Sequence, residues 1–134
     1  MNHRKEDLLS IRPQILSETV QETTGNDERF QNQILRPILK LQNDLLIEVF
    51  KNYANKHKGV FFEMSTDKKY HYIENAIQRD IKFRNSLKGI IIGQFTVEEY
   101  TSYIQNSSSL NKRMMNMVIE RLKDQIQLFE VQSV

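Results

Sequence analysis

The sequence predicts an all-α protein, a bundle of four or five helices around one long central helix. Two observations support this fold class. Apolar residues recur every three or four positions from residue 27 to residue 58, and again in later segments, as one face of a helix requires. No segment shows the sustained alternation of apolar and polar residues that is typical of a half-buried strand. The 134 residues are enough for one domain with its own core.

The predicted central helix has an unusually wide apolar face. Two neighbouring rows of side chains form this face: Phe30, Ile34, Ile38, Leu41, Leu45, Val49 and Tyr53 in one row, and Leu35, Leu39, Leu46 and Phe50 in the other. Together they span roughly 200° of a helical wheel, whereas a surface helix needs a stripe of only about 100°. Such a helix must be covered on two sides, either by its own bundle or by a second copy of the chain.

Both ends of this central helix are marked by residues that are typical of helix termini. Asn26 is a suitable N-cap, and Lys56, His57 and Lys58 form a basic last turn before Gly59. Pro37 lies well inside the helix, where it removes a backbone hydrogen bond and clashes with the preceding turn. We therefore expect the helix to be kinked or broken near Pro37, with parts of about 10 and 20 residues.

A second helix is predicted to run without interruption from the Ser65/Thr66 cap to about Lys88, with Gly89 as its stop. The small residues Gly89 and Gly93 flank three isoleucines, and we expect a tight, buried turn there. Two small residues at this spacing allow backbones to approach closely.

Two further helices complete the predicted bundle. Thr96 and Glu99 have the spacing of a capping box, so the third helix should begin at Thr96 and end near Asn106. Residues 107–109 are three serines and are predicted to form a loop. The fourth helix should run from Leu110 to about Phe129.

Residues 1–26 are predicted to form an N-terminal arm that is either mobile or packed on a neighbour, and residues 27–134 the helical domain. The arm is polar and only weakly periodic, and it ends in a Thr-Thr-Gly-Asn cluster that is typical of a loop between helices.

Composition argues against several functional classes. The chain contains no cysteine, which excludes disulfides, thiol nucleophiles and cysteine-based zinc sites. Its start is charged and lacks the apolar segment of a secretory signal, and no apolar run approaches the roughly 20 residues of a membrane span. We therefore expect a cytoplasmic protein that contacts no membrane.

No phosphate-binding loop, dinucleotide fingerprint, hydrolase elbow or metal-ligand spacing is present, so no cofactor, metal or catalytic residue is assigned.

Asp80 and Arg84 are the candidate ligand-binding residues. On a continuous helix they lie four positions apart in the middle of the apolar arc, where a lone charge is costly. We expect them to bond each other or polar groups of a facing helix. The pair is then either an ion pair that fixes helix packing or the polar floor of a pocket for a substrate or anion.

A basic stripe on the opposite face is the candidate nucleic-acid-binding surface. Residues 51–88 hold nine Lys/Arg against four Asp/Glu. Residues at spacings of four and three positions form the stripe: Lys68, Tyr72, Asn75, Arg79, Lys82 and Ser86. Of these, Lys68, Tyr72, Arg79 and Lys82 are the candidate binding residues, because basic side chains suit a phosphate backbone and Tyr72 can stack on a base. An ordinary solvated helix face has the same pattern.

Three segments resemble a family of small bacterial all-helical proteins of unknown activity. They are residues 29–44, residues 82–89 with the pattern Lys-Phe-Arg-Asn-x-Leu-Lys-Gly, and residues 93–100 with the pattern Gly-x-Phe-Thr-x-Glu-Glu-Tyr. Some members of that family carry a glyoxalase label, which implies strands bearing His and Glu metal ligands. This sequence has neither the strands nor that ligand set, so the resemblance assigns no site here.

The function predicted from the sequence is binding, and the favoured partner is a second copy of the chain in a homodimer. A different protein could also be the partner of this binding surface. Two alternatives remain open: a nucleic-acid accessory protein that uses the basic stripe, and an enzyme or small-ligand binder with a pocket near Asp80 and Arg84.

Overall fold

The computed structural model describes residues 2–14 and 25–130, and within those ranges the structure is all-α and contains no strand. The fold class predicted from the sequence is therefore confirmed. The helices are α1 (Arg4–Ile11), α2 (Asn26–Phe30), α3 (Arg36–Lys56), α4 (Thr66–Arg79), α5 (Ile81–Ile92), α6 (Val97–Tyr103) and α7 (Ser107–Asp124). A π-helical turn (Gln31–Leu35) joins α2 to α3, and short 3-10 turns occupy Val60–Glu63 and Ile126–Phe129.

The chain accommodates Pro37 by changing its hydrogen-bond register. In the π turn before it, the N–H of Arg36 donates to the carbonyl of Gln31, five residues back, and the backbone stays in the right-handed helical region on both sides. Pro37 itself is buried at the start of α3, where its missing N–H is least costly. The backbone is therefore helical from Asn26 to Lys56, with the π turn placed just before the 21-residue helix α3. A kink or break of the helix near Pro37 stays a prediction.

The wide apolar face of α3 is covered within the same chain. Helix α5 packs against α3, and α7 packs against both α4 and α5. At the centre lies the ring of Phe50, which is fully buried. The rings of Phe61, Phe83 and Phe129 surround it, with centroid distances of 5.1, 6.1 and 5.4 Å. Aromatic rings at these separations add to the stability gained from burial alone.

The prediction of one unbroken helix from residue 66 to residue 88 is wrong. Asp80 has an extended backbone (φ −86°, ψ 98°), which ends α4 and begins α5. Its carboxylate accepts the N–H of Phe83 at 3.2 Å, as an N-cap residue does. Periodicity could not reveal this break, because apolar residues continue at helical spacing on both sides of it.

Two other predicted boundaries are also wrong. Helix α5 continues through Gly89 to Ile92, and both Gly89 and Gly93 are exposed, so this segment is a helix end and not a buried turn. The serines at 107–109 form the first turn of α7 and not a loop. The capping box of Thr96 and Glu99 is confirmed, with both reciprocal bonds present.

Helix α1 is attached to the rest of the domain by polar contacts, and none of its own residues is buried. Arg4 donates to the carbonyl of Gly93, and the guanidinium of Arg12, just beyond the helix, donates to both carboxylate oxygens of Glu99 at 2.6 and 2.9 Å. Arg12 also donates to the carbonyl of Gln94. The side chains of Arg12 and Glu99 are only 8% and 15% exposed, so this is the strongest link to α1. The remainder of the predicted arm, residues 15–24, lies outside the described residues.

We expect Arg12→Gln to lower the free energy of unfolding by about 2 kcal/mol, because Glu99 would stay partly buried without its counter-charge. Urea denaturation measures this change. The matched control is Lys5→Gln, which removes a pair with Glu98 whose side chains are 54% and 66% exposed. That control should leave stability almost unchanged, and an equal loss in both variants would contradict this interpretation.

The same bridge sets a pH dependence. Burial opposes ionisation of Glu99, but the bonds from Arg12 and Thr96 outweigh it and hold the pKa of Glu99 below its ordinary value of 4.5. The unfolded chain therefore binds this proton more tightly than the folded chain. Stability from the bridge is complete above about pH 4.5 and is lost as the pH falls through the lower folded pKa. Arg12→Gln should reduce this acid-dependent loss.

Candidate functional site

An open groove of about 590 Å³ brings together several of the residues selected from the sequence. Helix α3 and its C-cap supply one wall, α4 supplies the other, and the α4–α5 junction closes one end. The lining residues, hereafter the tyrosine groove, are Tyr53, His57, Tyr72, Asn75, Ala76, Arg79 and Asp80. The groove therefore contains one predicted ligand-binding residue and two predicted nucleic-acid-binding residues.

Asp80 is fixed by bonds within the protein. One carboxylate oxygen accepts the Phe83 N–H, and the other accepts the hydroxyl of Tyr53 at 2.9 Å. These bonds hold the pKa of Asp80 below its ordinary value. Burial and the bond to Asp80 together raise the pKa of Tyr53 to about 12. Asp80 therefore bonds a polar group of a facing helix, which is one of the two arrangements expected from the sequence.

The aromatic rings of the groove are occupied by packing. Tyr53 is stacked on Phe83 at 4.0 Å between centroids and lies against His57 at 4.1 Å, so both of its faces are covered. The imidazole Nδ1 of His57 lies 2.8 Å from the carbonyl of Tyr53. Tyr72 packs on Phe61 at 5.0 Å. This arrangement favours a structural role for the rings at the helix junction.

Arg84 does not pair with Asp80. Within the described part of the chain its side chain makes no hydrogen bond or ion pair, and it does not line the tyrosine groove. Asp80 still lies one turn below Arg84, whose N–H donates to the Asp80 carbonyl at 2.9 Å, but the carboxylate of Asp80 is engaged by the Phe83 N–H and the Tyr53 hydroxyl. The proposed polar pair thus separates into a helix cap and a half-buried arginine.

The predicted basic stripe is divided by the same break. Lys68, Tyr72 and Arg79 lie on α4, whereas Lys82 lies on α5 beyond the change of chain direction. Lys68 and Lys82 are exposed and do not line the tyrosine groove. Tyr72 is half-buried against Phe61 and Phe50, so its ring faces are partly covered. The stripe is therefore less suited to a nucleic-acid backbone than its spacing suggests.

A second candidate site is apolar and lies on α1 and α6. Of the large hydrophobic side chains exposed within residues 2–14 and 25–130, five belong to these two helices and the C-cap of α6: Leu9, Ile11, Val97, Tyr100 and Ile104. We call them the α1–α6 surface. Val97, Tyr100 and Ile104 share one side of α6, and an exposed apolar patch of this kind is typical of protein interaction sites.

The roles of Tyr53 and His57 are not evident from the sequence. Spacing alone places Tyr53 in the apolar row of the central helix and His57 in its basic last turn. A hydroxyl at the end of an apolar row is a signal for a buried hydrogen bond, because a tyrosine near a core needs a partner for its hydroxyl. The partner itself could not be named without the break at Asp80.

No group of His, Asp and Glu side chains among the described residues has the arrangement needed to hold a metal ion. The described helices also include none with the length and apolar content needed to cross a bilayer. In comparisons with known proteins, no family model, curated protein or solved structure matches this chain. The resemblance to a family of small bacterial helical proteins stays a prediction.

We expect Tyr53→Phe to lower the free energy of unfolding by about 1 kcal/mol, because it removes the hydroxyl bond to Asp80 while keeping the ring stack. It should also remove the tyrosine that ionises near pH 12 from an alkaline absorbance titration.

The matched control is Tyr70→Phe on α4, because the Tyr70 hydroxyl makes no hydrogen bond within the described residues. This variant should keep both the stability and the high-pH transition. A wild-type titration in which every tyrosine ionises near pH 10 would contradict the assignment.

Proposed function

We propose that this chain is a protein-interaction module that forms a homodimer through the α1–α6 surface. The observation that carries the proposal is the outward apolar face of α6, where Val97, Tyr100 and Ile104 are 72%, 47% and 50% exposed. They lie three and four residues apart, so they share one side of the helix. The cytoplasmic location expected from the sequence stays a prediction.

The chemistry of this surface supports a second copy as the partner. Its apolar row is nearly symmetric about Tyr100. When two α6 helices cross antiparallel on a two-fold axis near Tyr100, Val97 of one copy meets Ile104 of the other. Such an interface is self-complementary, as two-fold dimers require. The flanking charges have both signs, with Lys5 already paired to Glu98, so two copies do not repel each other there.

The apolar face of the central helix does not need a second copy of the chain to cover it. The sequence suggested that the apolar face of the central helix needs a second copy to cover it. In the structure Ile38, Leu46 and Phe50 are buried by the same chain, and only Leu45 of the two rows is as much as 49% exposed. The homodimer proposal therefore rests on the exposed apolar row of α6 and not on the apolar face of α3.

The two alternatives find less support. The tyrosine groove has its carboxylate and rings engaged within the protein, which leaves no evident catalytic group and disfavours an enzyme. The basic stripe is split at Asp80, which disfavours a nucleic-acid accessory protein. Neither site offers a feature comparable to the exposed row on α6.

The test compares Val97→Glu with Ile81→Glu. Both residues are β-branched, follow an N-cap directly and have almost the same exposure, 72% and 71%. An acid in the first turn suits both helices, so neither change should harm folding. Because only Val97 lies on the α1–α6 surface, we expect Val97→Glu to weaken dimerisation by at least roughly tenfold and Ile81→Glu to leave it unchanged.

Sedimentation equilibrium of the full chain measures both constants. A wild-type protein that stays monomeric at about 100 µM would overturn the homodimer proposal, since a functional dimer needs a dissociation constant below that. Equal weakening by the two variants would also contradict it, because the interface would then not be specific to α6.

A further inference from the structure

Helix α1 is attached to the junction between α5 and α6 by side chains that donate hydrogen bonds. The attachments are Arg4 to the Gly93 carbonyl, Lys5 to the Glu98 carboxylate, and Arg12 to the Gln94 carbonyl and the Glu99 carboxylate. No residue of α1 is buried, so apolar burial contributes little to this attachment. The position of α1 therefore depends on charged and polar contacts.

The contact between Arg12 and Glu99 is the strongest of these attachments. The Arg12 guanidinium donates to both carboxylate oxygens, at 2.6 and 2.9 Å, and the two side chains are only 8% and 15% exposed. Charge-assisted bonds of this kind are roughly twice as strong as neutral ones. The pair of Lys5 with Glu98 is largely exposed, and such pairs contribute little. We call the bonds between Arg12 and Glu99 the α1 latch.

Glu99 has two partners, and they make different demands on its carboxylate. The Thr96 N–H in the capping box needs only Oε1, at 2.9 Å, whereas Arg12 uses both oxygens and the negative charge. A protonated Glu99 keeps one carbonyl oxygen for the cap, and a neutral glutamine is also a normal capping-box residue at this position. Protonation of Glu99 therefore breaks the latch and leaves the cap of α6 in place.

Arg12 is unfavourable in its position once Glu99 is neutral. Its nearly enclosed side chain would be a cation with the Gln94 carbonyl as its acceptor and no counter-charge, which is costly. Arg12 directly follows α1, so its side chain reaches water when it moves away together with the helix. A detached helix of eight residues is too short to persist alone in water.

The other ionisable groups at this junction do not replace the charge of Glu99. Within the described part of the chain, those on α1 and its N-cap that make no side-chain bond are His3, Glu6 and Asp7, and all three are exposed. Arg4 and Lys5 have the partners named above. The pKa of Glu98 is held below its ordinary value by its own backbone N–H and by Lys5, so acid also removes this weaker attachment.

We propose that Glu99 is an acid-sensitive latch residue, and that its protonation releases α1 from the α5–α6 junction while the remaining helices stay folded. No residue of α1 belongs to the hydrophobic core cluster or packs against it, so the core does not depend on this contact. The release is local and reversible. It does not depend on the oligomeric state of the protein.

Order parameters of the backbone amides, measured by NMR on the full chain, test the proposal. Glu99→Gln at neutral pH removes the charge and keeps an oxygen for the Thr96 N–H. We expect the order parameters of Leu8 and Leu9 to fall from about 0.85 to below about 0.6, and that of Phe50 to stay unchanged. The pKa of Glu99 lies below its ordinary value of 4.5, so wild type should show the same local change at about pH 3 but not at about pH 5.

The matched control is Glu98→Gln, which removes the same charge from the adjacent residue and leaves the latch intact. It should leave α1 ordered. Arg12→Gln should release α1 as Glu99→Gln does, and the double variant should add nothing further, because both changes remove one contact.

An ordered α1 in Glu99→Gln at neutral pH would overturn the proposal, and so would equal loosening of α1 in Glu98→Gln. A loss of order at Phe50 together with α1 in Glu99→Gln would overturn it as well, because the change would then be global unfolding and not the release of one helix.

Discussion

The fold depends on how the wide apolar face of α3 is covered, and Asp80 decides this. A straight helix from Thr66 onwards would lie along α3 on one side only. The N-cap at Asp80 ends α4 and starts α5, so that Tyr72 of α4 and Phe83 of α5 can both contact Phe50. The bond from the Tyr53 hydroxyl ties this junction back to α3. One carboxylate thus ends one helix, begins the next and joins both to the central helix.

This arrangement explains what the sequence could and could not predict. The fold class and the capping box at Thr96 and Glu99 follow from local signals and are confirmed. The break at Asp80 was missed because apolar spacing continues across it, and the Asp80–Arg84 pair and the basic stripe were both inferred from a continuous helix. A capping carboxylate inside a periodic run is visible only when its tertiary partners are known, and Tyr53 lies 27 residues away.

The molecule combines a tightly packed interior with a less constrained α1–α6 surface. Helix α1 has no buried residue and is attached through side-chain polar bonds, chiefly those of Arg12. Regions with few buried contacts open most readily, so the α1–α6 surface lies at the less stable end of the protein.

The fold requires the helix break at Asp80, and the side-chain oxygen of Asp80 that caps α5 produces this break. Hydrogen exchange of the Phe83 amide, combined with urea denaturation, tests it most directly in Asp80→Asn and Asp80→Leu. Asparagine retains an oxygen that can cap α5, so protection and stability should stay close to wild type. Leucine has no such oxygen, so the Phe83 N–H loses its acceptor at the break, and we expect lost protection of that amide and a clearly lower unfolding midpoint. An Asp80→Leu protein as stable as wild type would contradict the account.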